Sequence, residues 1–234
     1  MNILIKIHPF SYLLILVSLL TGHIKELLVF LSIVVIHELG HVIGGLICKW
    51  DISNITLMPF GCITTFSHIL NKPLKEEALV CLLGPIFQFI YFIIFKDIKP
   101  YFNYYNYGLF IFNMLPIYPM DGYKILSIIL CLFIPYKKVL KISLLISFIV
   151  SFLFIRKEFI YLVIFILLVK GIIKEYRNIS NIYNKFLLER YLYNIHFKKI
   201  KIIKNIDNMY REYRHLIKDK RLYTEKEALM KRFQ

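Results

Sequence analysis

Residues 37–41 read His37-Glu-Leu-Gly-His41, a match to H-E-x-x-H. On a helix, a spacing of four puts both imidazoles on one face, where they can share one zinc ion (Zn2+). Glu38 follows directly, with a carboxylate placed to take a proton from an attacking water. The flanks sharpen the reading. Leu28 to Ile36 are almost wholly apolar, and Val42, Ile43, Leu46 and Ile47 continue the run. Two histidines and a glutamate at the depth of a bilayer are expensive unless they have work to do. The bland alternative is three polar groups satisfied by neighbouring helices.

A catalytic zinc needs a third protein ligand and an open position. The best supplier is Asn113-Met-Leu-Pro-Ile-Tyr-Pro-Met-Asp-Gly122, because Asp121 is the only acidic residue between Tyr101 and Ile155. Pro116 and Pro119 should break the helix and leave Asp121 near the start of a new one. Gly122 would let backbones come close. The bland alternative here is a kinked helix with Asp121 as its N-cap. Lys124, three residues on, could sit near the metal and draw in a substrate carboxylate. The simpler reading has it snorkel to the interface. His8, His23, His68, His196 and His215 read as surface or interface residues.

The chain that must position these groups has 234 residues, 58% of them hydrophobic and 16% aromatic, with a mean hydropathy of +0.62. That is too apolar for an ordinary soluble domain. Apolar runs at Pro9–Leu20, Glu26–Ile47, Ala78–Phe95, Tyr107–Ile134, Val139–Ile155 and Phe159–Ile173 suggest an all-α polytopic membrane protein with about six transmembrane helices. The first run lacks a small-residue cleavage site and is expected to be retained as a helix. Between the second and third runs, residues 51–66 alternate β-branched with polar residues around Pro59–Gly61. This predicts a short membrane-associated β-hairpin, whose edge could pair with an extended substrate; the bland alternative is a surface loop with no substrate role. Residues 1–173 thus form the transmembrane core and 174–234 a basic cytoplasmic tail. In the tail, a helix is expected over Lys174–Arg190, a strand over Phe197–Ile203, and amphipathic stretches over Asp207–Ile217 and Thr224–Phe233. Thr224-Glu-Lys-Glu227 resembles a capping box.

The net charge of +15 follows topology and does not point to nucleic acid. Assigning loops alternately to the two sides puts 23 Lys and Arg on one side and five on the other. The positive-inside rule then places both termini in the cytoplasm, with membrane lipids as the partners of the charge. Cys48, Cys62, Cys81 and Cys131 form no C-x-x-C pair and read as structural. A zinc transporter or scaffold is the competing class. Transporters string polar groups along a path, however, whereas here they gather at His37, Glu38, His41 and Asp121.

Together, H-E-x-x-H and N-x-x-P-x-x-P-x-D-G, in this order and about eighty residues apart, resemble the site-2 protease family of M50-type intramembrane zinc metalloproteases. The resemblance implies zinc ligation by His37, His41 and Asp121, with Glu38 as catalytic acid/base. It also implies a substrate-binding role for Asn113 and the adjoining Pro116 and Pro119. Gly84-Pro85-x-x-Gln88 resembles a third family element that usually ends in Asn, which gives Gln88 a weaker share in that role. Size, span count and the absence of an inserted domain resemble the sporulation branch. The resemblance then implies a membrane-associated protein substrate, the sigma-factor precursor pro-sigma-K. It further implies inhibitory membrane-protein partners and a place in the mother-cell membrane around the forespore. Branch members end in a nucleotide-sensing CBS domain, and the tail here is long enough only for a truncated version. An oligomer is compatible with the sequence. Within the family, an anti-sigma factor or a signal-peptide remnant is the alternative substrate.

Overall fold

The computed structural model describes residues 4–7, 9–58, 61–66, 70–96, 100–155, 159–193, 195, 197, 199–218 and 221–233. The turn expected around Pro59, and His8, His68 and His196, lie outside the described residues. The chain is mostly helical and divides into two compact units.

The first unit holds residues 1–68 and 78–114. Strand β1 (Leu4–Ile7) precedes helices α1 (Pro9–Leu20) and α2 (Ile24–Ile47). Strands β2 (Ile52–Met58) and β3 (Gly61–Phe66) follow, then α3 (Leu74–Phe95), which enters this unit at Ala78, and α4 (Pro100–Met114). β2 and β3 pair antiparallel, as the alternation of β-branched residues predicts. β1 adds a parallel third strand on the far side of β2, leaving β3 at an edge. β1 has four residues, too few to show a period of two, so the pattern was illegible in the sequence. Ile33 and Val34 of α2 form a core with Phe102 and Leu109 of α4, packed by Tyr91, Phe92 and Phe95 of α3.

Outward faces of these helices are apolar too: Leu28, Leu46 and Ile47 on α2 and Phe89, Ile93 and Ile94 on α3 are exposed. Such side chains suit lipid, not water. Among the described residues, two helices, α2 with 24 residues and α3 with 22, are long and apolar enough to cross a membrane; at 1.5 Å per residue, α2 spans about 36 Å. Helices α1 and α4 have 12 and 15 residues.

The second unit holds residues 69–77 and 115–234. It contains α5 (Asp121–Phe133), α6 (Tyr136–Ser151), α7 (Phe159–Leu192), strands β4 (Ile200–Ile203), β5 (Arg214–Lys218) and β6 (Leu222–Thr224), and α8 (Glu225–Phe233). The apolar run Tyr107–Ile134 is thus two helices, broken across the Pro116–Pro119 segment. α7 runs unbroken through residue 173 into the tail. In the tail, the amphipathic stretch Asp207–Ile217 is a 3-10 turn (Ile206–Asn208) followed by β5. A short segment can satisfy either period, and pairing of β5 with β4 and β6 decides it. An all-α fold is therefore corrected to a mostly helical one with two three-stranded sheets. The capping box is made: Thr224 N–H donates to Glu227 Oε2 (3.0 Å) and Glu227 N–H to Thr224 Oγ1 (3.3 Å).

Tail and helices share one core, in which Tyr136, Val139, Tyr183, Phe186 and Leu187 meet Ile203, Met209, Ile217 and Leu229. The tail also grips the segment that leads into α3. Arg211 forms a two-pronged pair with Glu77 (2.6 and 2.8 Å) and donates to Lys72 O. Arg190 donates to Asn71 Oδ1, and Glu189 accepts from Leu70 N–H and Asn71 Nδ2. His215 is fully buried in this polar network, not at a surface as its isolation in the sequence suggested. Its Nε2 accepts from Tyr210 N–H (3.0 Å), so Nδ1 carries the proton and donates to Glu225 Oε2 (3.2 Å).

Candidate metal centre

His37 and His41 lie near the middle of α2, 3% and 5% exposed, in a helix whose outer face is apolar. The ligand atoms of His37, Glu38 and His41 lie within 4.8 Å of one another, a set able to hold a metal ion. The helix alone does not aim the rings; α3 does. His41 Nδ1 lies 2.9 Å from Val80 O, and His37 Nδ1 lies 2.8 Å from Gln88 Oε1. A backbone carbonyl only accepts, so His41 carries its proton on Nδ1. Gln88 is oriented by the same logic: its Nε2 donates to Asn106 O on α4 (3.0 Å), which turns Oε1 toward His37. His37 therefore also carries its proton on Nδ1.

Both Nε2 lone pairs are then directed inward, 3.2 Å apart. Two acceptor nitrogens at that distance are a natural seat for a cation. Nitrogens at about 2.0–2.1 Å from one tetrahedral zinc are separated by roughly 3.3 Å, so the pair fits that ion without rearrangement.

Small residues make this approach possible. On α2, a Cβ at Gly40 would sit 2.8 Å from Gly84 Cα, and one at Gly44 would sit 2.9 Å from Val80 Cα. α2 and α3 therefore meet backbone to backbone through a small-xxx-small pair, which puts Val80 O within reach of His41. On α3, a Cβ at Gly84 would run into the His41 imidazole. Gly84, noted in the sequence only as part of a motif, is thus the space the ligand ring occupies.

Glu38, half-buried, accepts a 2.9 Å hydrogen bond from Thr64 Oγ1 on β3. Sequence reasoning missed Thr64 and Asn106. Neither forms a local motif with the residues it serves, since each contact joins elements far apart in the chain. Gln88 was expected on the substrate side. In the structure it is fully buried, with its carbonyl on His37 and its amide on Asn106. Asn113 lies in the last turn of α4, half-buried.

Asp121, Pro116 and Pro119 belong to the second unit. Asp121 is the first residue of α5, after Met120 at the N-cap, and is 5% exposed. A carboxylate there is favoured by the helix dipole. The preceding loop is pinned by Tyr118, whose N–H donates to Ser147 Oγ (2.7 Å) and whose hydroxyl donates to Glu175 (3.2 Å). Lys124 Nζ is 3.0 Å from Asp121 Oδ1, so its ammonium pairs with that carboxylate.

Comparison with known proteins bears on what such a centre serves. The profile of peptidase family M50 matches residues 25–98, which include all of α3 and all but the first residue of α2. Stage IV sporulation protein FB of Bacillus subtilis is 34% identical over 204 residues, covering 80% of this chain and 71% of that protein. The chain belongs to peptidase family M50. Another relative is a zinc metalloprotease of Methanocaldococcus jannaschii, 32% identical over 130 residues, covering 50% of this chain and 37% of that protein. Among solved structures, the site-2 protease from Methanocaldococcus jannaschii superposes with a TM-score of 0.57 at 24% identity. That match covers 75% of this chain and 91% of the other and shows a shared fold.

Proposed function

We propose that this family member is an intramembrane zinc metalloprotease that hydrolyses a peptide bond in a membrane-associated protein, with pro-sigma-K as the specific substrate. The observation that carries the reading is the pair of inward Nε2 lone pairs, 3.2 Å apart and next to Glu38, inside an apolar helix. His37 and His41 hold the ion, with Asp121 as third ligand on the strength of the family motif. Gln88 and Asn106 keep His37 in the ligating tautomer. Asn113, with Pro116 and Pro119, serves the substrate.

A bound zinc ion would polarise the scissile carbonyl and make a water more acidic. Glu38 accepts one proton from the attacking water and delivers it to the leaving nitrogen. One water is consumed, the C–N bond is replaced by C–O, and an acid and an amine leave. The core of about six spans covers residues 1–173 and lies in the membrane, while the basic tail over 174–234 and both termini lie in the cytoplasm, a reading supported by the charge asymmetry. In a spore-former the membrane is the mother-cell membrane around the forespore. A truncated CBS-like role for the tail and inhibitory membrane-protein partners belong to the same reading.

The test is Glu38→Gln. Wild-type and variant protein are co-reconstituted with pro-sigma-K, and the products are identified by mass spectrometry with zinc content measured alongside. The expected result is cleavage by the wild type alone, with equal zinc in both. Cleavage that survives the substitution sinks the protease assignment. If pro-sigma-K stays intact while another membrane protein is cut, only the sporulation substrate falls.

A further inference from the structure

Among the described residues, the β-hairpin meets the centre at Thr64. Thr64 Oγ1 donates to Glu38 Oε2 at 2.9 Å. Two residues along the same strand face, the Phe66 ring occupies the space in front of Gly45, where any Cβ would collide with it. Glu38 and Gly45 are seven residues apart on α2, two helical turns, and so share a face. β3 therefore lies along α2 with two attachments: an aromatic ring seated in a glycine notch, and a hydroxyl on the carboxylate. Trp50, just after α2, packs edge-on against Phe66 (5.4 Å) and closes the notch.

We propose that Thr64 is a positioning residue for Glu38, held in place by the Phe66–Gly45 latch, so that the seat of the hairpin on α2 sets the direction of the acid/base carboxylate. This rests on the protease reading for the role of Glu38 and on geometry alone for the contact. A glutamate in a helix has three side-chain torsions and sweeps a wide arc. A hydrogen bond to one carboxylate oxygen fixes the last torsion and with it the direction of the other oxygen. Misplacement of a catalytic group by about 1 Å can reduce a rate roughly a hundredfold. A mobile Glu38 would bind metal and substrate as before and turn over slowly. Because β3 is an edge strand of its sheet among the described residues, anything that lifts or seats it acts on Glu38 through the Thr64 hydroxyl.

The contact is tested without activity by thiol cross-linking in the full-length, membrane-embedded chain, with the four native cysteines replaced. Glu38→Cys with Thr64→Cys should be bridged by a short bifunctional thiol reagent that replaces the reach lost from glutamate, since the Glu38 carboxylate and not its Cβ meets Thr64. Glu38→Cys with Phe66→Cys, whose partner lies two turns away, should not. Failure of the first pair, or equal trapping of both, overturns the proposal. The role is tested by turnover of the substrate that wild-type protein cleaves and Glu38→Gln does not. Thr64→Val, equal in shape, should lower kcat by roughly 10- to 100-fold with KM and zinc content unchanged, and Thr64→Ser should restore it. Full turnover in Thr64→Val, a change confined to KM, loss of zinc, or no rescue by Ser each rejects the positioning role. Activity surviving in Glu38→Gln rejects the protease reading instead, while the trapping result still decides the contact.

Discussion

Gln88→Met keeps the length and volume of the side chain and removes both of its hydrogen-bonding groups. In the structure Gln88 is fully buried and joins His37 Nδ1 (2.8 Å) to Asn106 O (3.0 Å). With methionine there, the His37 N–H faces a thioether, and a buried donor left unsatisfied costs about 1–3 kcal/mol. The ring can avoid this only by moving its proton to Nε2, the atom that should bind metal, or by rotating off the shared axis with His41. Either route subtracts the same free energy from metal binding, and 1.4 kcal/mol is a factor of ten, so zinc affinity should fall by roughly 10- to 100-fold. The assay is competition between the purified, detergent-solubilised protein and a fluorescent zinc chelator, wild type against variant, with thermal melting to show that both remain folded. The kcat of the zinc-saturated variant should change little, since Glu38 and Thr64 are untouched. Unchanged zinc affinity in a folded Gln88→Met protein would refute the claim that α3 selects the His37 tautomer.

Two further outcomes concern the second unit. Arg211→Ala removes the two-pronged pair with Glu77 and the bond to Lys72 O. With Glu77 about a quarter exposed, the loss should be about 2–3 kcal/mol, read as a lower melting temperature and largely recovered in Arg211→Met with Glu77→Leu. His215 should make stability pH-dependent. Burial pushes its imidazole below the ordinary 6.5, and the charges of Arg190 and Lys201 add to this against the opposing pull of Glu225. Tyr210 N–H occupies the nitrogen that protonation needs. Glu225, held below its ordinary 4.5 by bonds from His215 and the charge of Arg190 despite burial, acts in the same direction at lower pH. Between the depressed folded value and 6.5, the unfolded chain binds a proton that the folded chain does not. Stability is therefore complete above about pH 6.5 and falls as pH drops below it. Melting curves from pH 7.5 to 5.5 should show this, and His215→Gln should flatten the slope; equal slopes in both proteins would assign it elsewhere.

How much of this was legible beforehand depends on the range of the interaction. The hairpin at residues 52–66 announced itself by alternation, and the Thr224–Glu227 capping box by a four-residue pattern. Both are local. Asp207–Ile217 showed only that it was amphipathic, because a short segment fits either period, and its strand exists by pairing with β4 and β6. His215 looked like a surface residue because the groups that bury it, Arg190 and Glu225, belong to α7 and α8.

The H-E-x-x-H motif stands in the same light. The sequence by itself determined the ligand types, their helical spacing and the apolar setting, since all three are properties of one continuous helix. It also determined the N-x-x-P-x-x-P-x-D-G segment as a chain break that begins a helix at Asp121. Tertiary structure alone decided which nitrogen of each imidazole faces inward, because Val80 O and Gln88 Oε1 come from α3. It alone showed why position 84 must be glycine and that a threonine on the hairpin holds Glu38. The physical reason is common to all three: each depends on how closely two backbones approach across a gap in sequence. That distance is set by packing and is written in no single segment.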